Sequence, residues 1–313
     1  MKKLRFANTY FVYLSIFLLV LVLLKGTTVK GATRGISLGL ISIQPSFFAR
    51  VALVFFFANV LDKKHDLLLE TKNILHFPKN FPELTLLTVL VFVLIFVGKH
   101  LSAIVIAGVT LMSMLLYAGI RKRIILIIMG LGLLTGMLII TQGDSFRMQR
   151  MQTFKKYSLF FKERDLSQSA NADYQVRESL VALTSGGLFG TGIARGRAKH
   201  YYLPEARTDY VYTIIGEEAG YLGAMVVFLL HSLLFFAALR MSNKQENRYY
   251  RFLGAGMALN IYSNVLVNTG VAMSILPPTG NTLPFISYGG SALLMDSVAV
   301  GVILNISAQR RTL

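Results

Sequence analysis

Cysteine is absent from the 313 residues, which excludes a disulfide framework and any thiolate metal site. Tryptophan is absent as well. Charge is scarce: Asp, Glu, Lys and Arg together make up 15% of the chain, against roughly 25% in an ordinary soluble domain. Acids are scarcest, 15 against 32 lysines and arginines, leaving a formal net charge of +17. No fixed-period repeat, linker-like stretch or second polar domain interrupts the chain. What fills it is apolar. Hydrophobic residues account for 54%, gathered in runs long enough to cross a hydrocarbon core, which takes about 17–25 residues.

Hydropathy gives about eight spans, at 9–25, 43–61, 83–98, 101–118, 124–141, 210–238, 252–273 and 286–307. The third and fourth are short and nearly continuous, interrupted at Gly98-Lys99-His100. Backbone groups in lipid must pair within their own segment, and no alternating barrel pattern is present, so the spans are helices. The expected fold is an all-α, polytopic helical membrane protein, a single membrane domain over 1–313 with one long extracytoplasmic loop at 142–208. The basic start (Lys2, Lys3, Arg5) and apolar run to Leu24 have the outline of a signal peptide. The run is long, lacks a clear small-x-small cleavage site and is followed by further spans, so it reads as an uncleaved first span.

Orientation follows from the short loops. Lys2-Lys3, Lys63-Lys64, Arg121-Lys122-Arg123, Arg240 to Arg251 and Arg310-Arg311 fall on one side of a chain crossing about eight times. Both termini are then cytoplasmic and the segment from Gln142 to Thr208 lies outside. That segment is basic too, but long loops translocate largely regardless of charge. The positive-inside rule and an anionic lipid substrate account for the +17 better than nucleic acid does.

The outer segment is too long for an ordinary connection, and such loops tend to carry function. Arg147 and Arg150 open it with a spacing that shares one helix face, suiting either a headgroup anchor or a diphosphate clamp. From Asp173 to Leu183 the apolar positions suit an amphipathic helix on the membrane. Gly186, Gly187, Gly190 and Gly192 then permit positive φ and close approach of a ligand, although without further context a plain turn explains them better. After Lys199, Glu205 and Arg207 comes Asp209, at the outer mouth of a span. Thr208 and Asp209 are good helix caps, so capping and chemistry both remain open there. Glu217 and Glu218 lie deeper, and Asp296 lies inside the last span. Intramembrane carboxylates are costly and default to paired or functional roles, with Asp296 expected to face the bundle interior. Between the last two spans, Leu276 to Ser291 packs prolines and glycines at membrane depth. Non-helical backbone is tolerated there only when buried in protein or lining a watery cavity.

The run Leu276 to Ser291, with Thr279, Ser287, Tyr288, Gly289 and Gly290, closely resembles the long Leu-Pro…Ser-Tyr-Gly-Gly motif of the SEDS (shape, elongation, division and sporulation) family. Gly186 to Gly192, Lys199, Leu203-Pro204-Glu205, Thr208-Asp209-Tyr210 and Gly216-Glu217-Glu218 resemble that family's outer loop and following span. Gly31-Ala32-Thr33-Arg34 and Gln44-Pro45-Ser46 are similar to two further family segments, so the matches cover nearly the whole chain. There are departures. Gly35 stands in place of a tryptophan, Phe47 of an acid, Glu178 of a glutamine and Arg207 of a histidine, and a Gln-Pro-Asp-Leu-Gly segment is reduced to Gly98-Lys99-His100-Leu101-Ser102. Family members have about ten spans, and the resemblance aligns this chain from the third, which implies that an N-terminal helical hairpin is missing.

The resemblance implies an inverting peptidoglycan glycosyltransferase of the inner membrane that polymerises lipid II on the outer face. Asp209 matches the family's catalytic aspartate. Arg147, Arg150, Lys199 and Arg207 would meet the diphosphate, and Glu205 with the motif residues would line the substrate. No cofactor is required, and a divalent cation (Mg or Mn) is expected at most at the diphosphate. The implied partner is a class B penicillin-binding protein within a division or elongation complex, with Thr282 leaning towards division. Two other readings fit the same residues. A lipid II flippase or transporter also uses broken helices, intramembrane acids and a basic vestibule. A non-catalytic scaffold for the penicillin-binding protein would need no working aspartate.

Overall fold

The computed structural model describes residue 5 and residues 8–29, 32–38, 41–71, 73–141, 145–158 and 174–309. Each expected span has a helix. They are α1 (Asn8–Lys25) and, after a short β-segment, α2 (Pro45–Lys63). Two short helices, α3 (His65–Glu70) and α4 (Phe77–Asn80), precede α5 (Pro82–Val97) and α6 (Leu101–Tyr117). Then come α7 (Lys122–Thr141), the shorter helices α8 (Ser145–Tyr157) and α9 (Tyr174–Ser185), α10 (Val211–Asn243), α11 (Arg248–Ala272) and α12 (Gly290–Ala308). Among the described residues α1, α2, α10 and α12 are long and apolar enough to cross a membrane individually. The pair Ile74–Asn80 and Pro82–Val97 meets the same criterion together, bent by 99° at the break, which fits a broken span or a re-entrant loop. The protein is a polytopic helical membrane protein.

The helix boundaries have local causes. Pro45 and Pro82 each open a helix, where the missing N–H costs nothing and φ is already set. Between α5 and α6, Lys99 adopts φ of 58°, so the apolar run divides where the sequence places Gly98-Lys99-His100. The connection after α1 is not plain loop. Thr27–Val29, Ala32–Leu38 and Ile41–Ile43 form a three-stranded antiparallel ribbon in the order β1-β2-β3, with Thr28 opposite Thr33 and Ile36 opposite Ile43. β-Branched residues spaced by glycines favour such pairing over helix.

The chain divides into two compact units. The first comprises Met1–Met129, Leu234–Ser263 and Gly290–Leu313. Its core is built around α2, whose Leu53, Phe56 and Leu61 are at most 1% exposed and pack with residues such as Val91, Met114, Leu253 and Ile306. Arg50 and Asp296, each 2% exposed, lie within this unit and interact electrostatically across α2 and α12. The second unit comprises Gly130–Leu233 and Asn264–Gly289 and contains most of the residues singled out from the sequence.

Candidate functional site

Asp209 stands immediately before α10, half-buried. The carbonyl of Tyr210 accepts from the Thr213 and Ile214 amides, so Tyr210 occupies the last position before the helical turn and Asp209 precedes it. Upstream, the Glu205 carbonyl accepts from the Thr208, Asp209 and Tyr210 amides, with Glu205 itself at φ of 56°. Its carboxylate accepts from the Thr208 hydroxyl at 3.0 Å. The aspartate therefore sits in a tight turn and not in an extended lead-in.

Three consecutive carbonyls of this turn are held from a distant part of the chain. The Tyr288 amide donates to Arg207 O at 2.9 Å. The Ser287 hydroxyl donates to Thr208 O at 2.5 Å and accepts from the Leu283 amide at 2.8 Å. The Asn268 side-chain amide donates to Asp209 O at 2.8 Å and to Asn281 O at 2.6 Å. Asn281 in turn donates to Asn264 Oδ1 at 3.1 Å. The proline- and glycine-rich segment 276–288 is thus a brace for the backbone of Asp209. Tyr288, 82% exposed, directs its ring outward. Gly289 follows it, and Gly290 begins α12 with open space at its Cβ position.

Arg150 approaches from α8. Its Nη1 donates to Pro278 O at 3.2 Å. Burial pulls its guanidinium below the ordinary arginine range, and the neighbouring Tyr210 and Asp209 pull it back up. Burial likewise pushes the Tyr210 phenol above its usual value, Asp209 adds to that push, and Arg150 opposes it. A half-buried cation, a neutral phenol and the aspartate thus interact electrostatically with one another. Arg207 is exposed. Thr279 places its hydroxyl oxygen in the interior with no hydrogen-bond partner among the described residues. Arg147 lies in α8, and its side chain falls outside the described residues.

Lys199, Glu217 and Glu218 form a second arrangement in this unit. The Lys199 ammonium pairs with Glu218 at 2.5 Å. Glu218 also accepts from the Ala194 amide at 3.0 Å. Glu217, 3% exposed, accepts from the Arg197 amide at 2.7 Å and the Ala198 amide at 3.1 Å. Glu217 and Glu218 thus hold the loop of residues 194–199. The glycines explain how the loop comes so near. At Gly220 (φ 71°, ψ −171°) α10 leaves helical geometry. A continuous helix would bond the Tyr221 and Leu222 amides to the Glu217 and Glu218 carbonyls. Instead Tyr221 and Leu222 donate to Gly187 O and Leu188 O at 2.9 and 3.2 Å, and the Thr191 and Gly192 amides donate to Glu217 O and Glu218 O at 2.9 and 3.1 Å. Two intrahelical bonds are exchanged for four to the loop. A Cβ on Gly190 would stand 2.1 Å from Glu218 O, so only glycine permits the approach.

The model of the cell cycle protein family that includes FtsW, RodA and SpoVE matches residues 1–312. The chain belongs to the FtsW/RodA/SpoVE family. Among its relatives in this family is a probable peptidoglycan glycosyltransferase FtsW of Geobacter sp. (strain M18), 35% identical over 297 residues, which span 94% of this chain and 77% of the relative. Stage V sporulation protein E of Bacillus subtilis (strain 168) is 33% identical over 297 residues, 94% of this chain and 77% of that protein. Within solved structures, a chain from a study of the structural coordination of polymerization and crosslinking by a peptidoglycan synthase complex superposes with a TM-score of 0.77. It is 22% identical, and the match covers 100% of this chain and 84% of that one. The fold is therefore that of the FtsW/RodA/SpoVE family.

Asn268 and Arg50 were not among the residues expected to matter. Asn260, Asn264 and Asn268 recur every fourth position through α11, a buried polar stripe in an otherwise apolar helix, and that spacing is the signal for Asn268. Arg50 had a signal as well, a lone cation inside a span matched by a lone acid, Asp296, in another.

Proposed function

We propose that this protein is a peptidoglycan glycosyltransferase that polymerises lipid II on the outer face of the inner membrane. The carrying observation is the braced turn of Asp209, half-buried beside the half-buried cation Arg150. In this reading the GlcNAc 4-hydroxyl of the acceptor attacks the anomeric carbon of the MurNAc on the growing chain. The new C–O bond forms as the bond to undecaprenyl diphosphate breaks with inversion. The Asp209 carboxylate takes the hydroxyl proton, and the diphosphate leaves with the bonding electrons towards fixed cations. Arg150 and Arg207 are the described cations best suited to meet it, with Arg147 on the same helix as Arg150. Lys199 joins them only by opening its bridge to Glu218.

A divalent cation at the diphosphate is compatible with this site in one form only. No group of three His, Asp or Glu lies together among the described residues, so such an ion would take most of its ligands from substrate and water. The orientation that fits the basic clusters puts both termini in the cytoplasm and the Asp209 turn outside. A class B penicillin-binding protein would supply crosslinking, and similarity to FtsW and Stage V sporulation protein E supports a role in cell division or shape.

The test is glycan-strand formation from lipid II by the purified protein with its partner, comparing wild type with Asp209→Ala at matched folding. Polymer from wild type and none from the variant is the expected result. Equal polymer from both removes Asp209 from the chemistry. Lipid II translocation in liposomes without polymer from either points to a flippase.

A further inference from the structure

Within the first unit, the ends of several helices enclose a cavity of about 420 Å³ lined by His65, Tyr117, Asn243, Arg248, Arg251 and Phe252. None of these residues belongs to the Asp209 turn or to the motifs that carry the family resemblance. Arg240 shares α10 with Asn243, Lys63 and Lys64 immediately precede α3, which His65 opens, and Lys122 begins the helix that follows the one ending at Tyr117; all four are exposed. In the orientation proposed above this is the cytoplasmic end, at headgroup depth.

The lining is cationic and its charge is poorly met. Arg248 and Arg251 occupy the first turn of α11, which carries no acid. The positive end of a helix dipole favours anions there, so two arginines oppose the dipole they sit on. Asp66 stands 3.8 Å from Arg248 with its side chain 91% exposed, a solvent-screened contact. Arg251 donates through Nε and Nη2 to the single carbonyl of Gln245, at 3.2 and 3.0 Å, which fixes its plane but leaves its charge opposite a neutral group. The Tyr117 hydroxyl bonds Asn243. The His65 ring stacks on Phe252 at 5.8 Å, and its Nδ1 is enclosed with no hydrogen bond. Among the described residues no carboxylate lines the cavity.

We propose that this cavity binds a phosphate ester, the headgroup phosphate of an anionic phospholipid from the cytoplasmic leaflet. Two forked guanidiniums at a helix N-terminus match phosphate oxygens in geometry and charge. The volume admits a glycerophosphate headgroup, and the depth suits a lipid whose acyl chains stay in the bilayer.

The probes are phosphatidylglycerol, phosphatidylcholine and inorganic phosphate, added to the purified full chain in detergent. Retained lipid is read by native mass spectrometry and stability by thermal unfolding. Phosphatidylglycerol should bind saturably and raise the Tm, with phosphatidylcholine at least tenfold weaker. Arg251→Gln and Arg248→Gln should each weaken phosphatidylglycerol binding about tenfold, the loss of one charge-assisted contact. Arg240→Gln, outside the cavity, should not. The Arg248 side chain is 52% exposed, so its replacement keeps the test valid if Arg251→Gln misfolds. Competition by inorganic phosphate supports phosphate recognition. Protection by inorganic phosphate alone, lost in Arg248→Gln, supports the phosphate site with a soluble ester as its source. Unchanged lipid binding in Arg248→Gln, or no response to phosphatidylglycerol and phosphate alike, overturns the proposal and leaves an acidic side chain of a partner protein as the occupant.

Discussion

Asn268 donates one side-chain N–H to the main-chain oxygen of Asp209 at 2.8 Å and the other to Asn281 O at 2.6 Å. Both amide protons are committed to carbonyls, so the reverse orientation would set oxygen against oxygen and is excluded. Asn268→Asp removes both donors and adds charge facing two acceptors. It should lower kcat for polymerisation by at least about tenfold with little change in lipid II binding, because the aspartate turn shifts while the substrate groove stays. Its stability should fall by about 1–3 kcal/mol per unsatisfied group. Single-turnover and binding measurements on the same preparation check the split. An unchanged kcat would show that the turn is held without this residue.

Gly190 and Gly220 both have positive φ and both abut backbone of the opposing segment. Gly190→Ala brings a Cβ to 2.1 Å from Glu218 O and Gly220→Ala to 2.4 Å from Leu188 O. Each should cost about 1–3 kcal/mol or more, read as a lower Tm or lost yield. Gly132→Ala, in α7 with open space around it, should be neutral or slightly stabilising.

The Glu217 carboxylate accepts from two loop amides while 3% exposed. Glu217→Gln leaves one amide facing an N–H donor and should cost about 1–3 kcal/mol. Hydrogen exchange should show faster opening of 194–199 in this variant. Unaltered exchange would mean that the Glu218 contacts and the neighbouring main-chain bonds secure the loop without Glu217.

Thr279 carries an enclosed hydroxyl without a partner among the described residues. Thr279→Val removes that polar atom at nearly constant shape. Stability should stay within about 1 kcal/mol of wild type or rise. A large loss of stability would identify a hidden hydrogen bond.

Much of this was legible in the sequence, because hydropathy reports the cost of placing a window in lipid and each expected span has its helix. The run 210–238 was harder. Its break at Gly220 depends on one φ angle, and a glycine in an apolar run reads equally as a packing residue. The strands between α1 and α2 leave no such signal, since three short strands have no amphipathic period long enough to detect. Asp209 and the segment 276–291 were visible as residues but their relationship was not. The aspartate is held through main-chain carbonyls, which carry no sequence identity. Lys199 is expected at the diphosphate, and its pairing with Glu218, 19 residues on, requires the loop to fold back onto a broken helix.

The bond from Ser287 to Thr208 spans 79 positions and that from Asn268 to Asp209 spans 59. A chain emerging from the ribosome therefore inserts Asp209 well before its braces exist. The turn acquires its geometry only when the segment through Tyr288 has been delivered to the membrane. Biogenesis thus supplies a checkpoint of its own: a nascent chain stalled before that segment holds an unformed site and cannot act on the lipid pool around it.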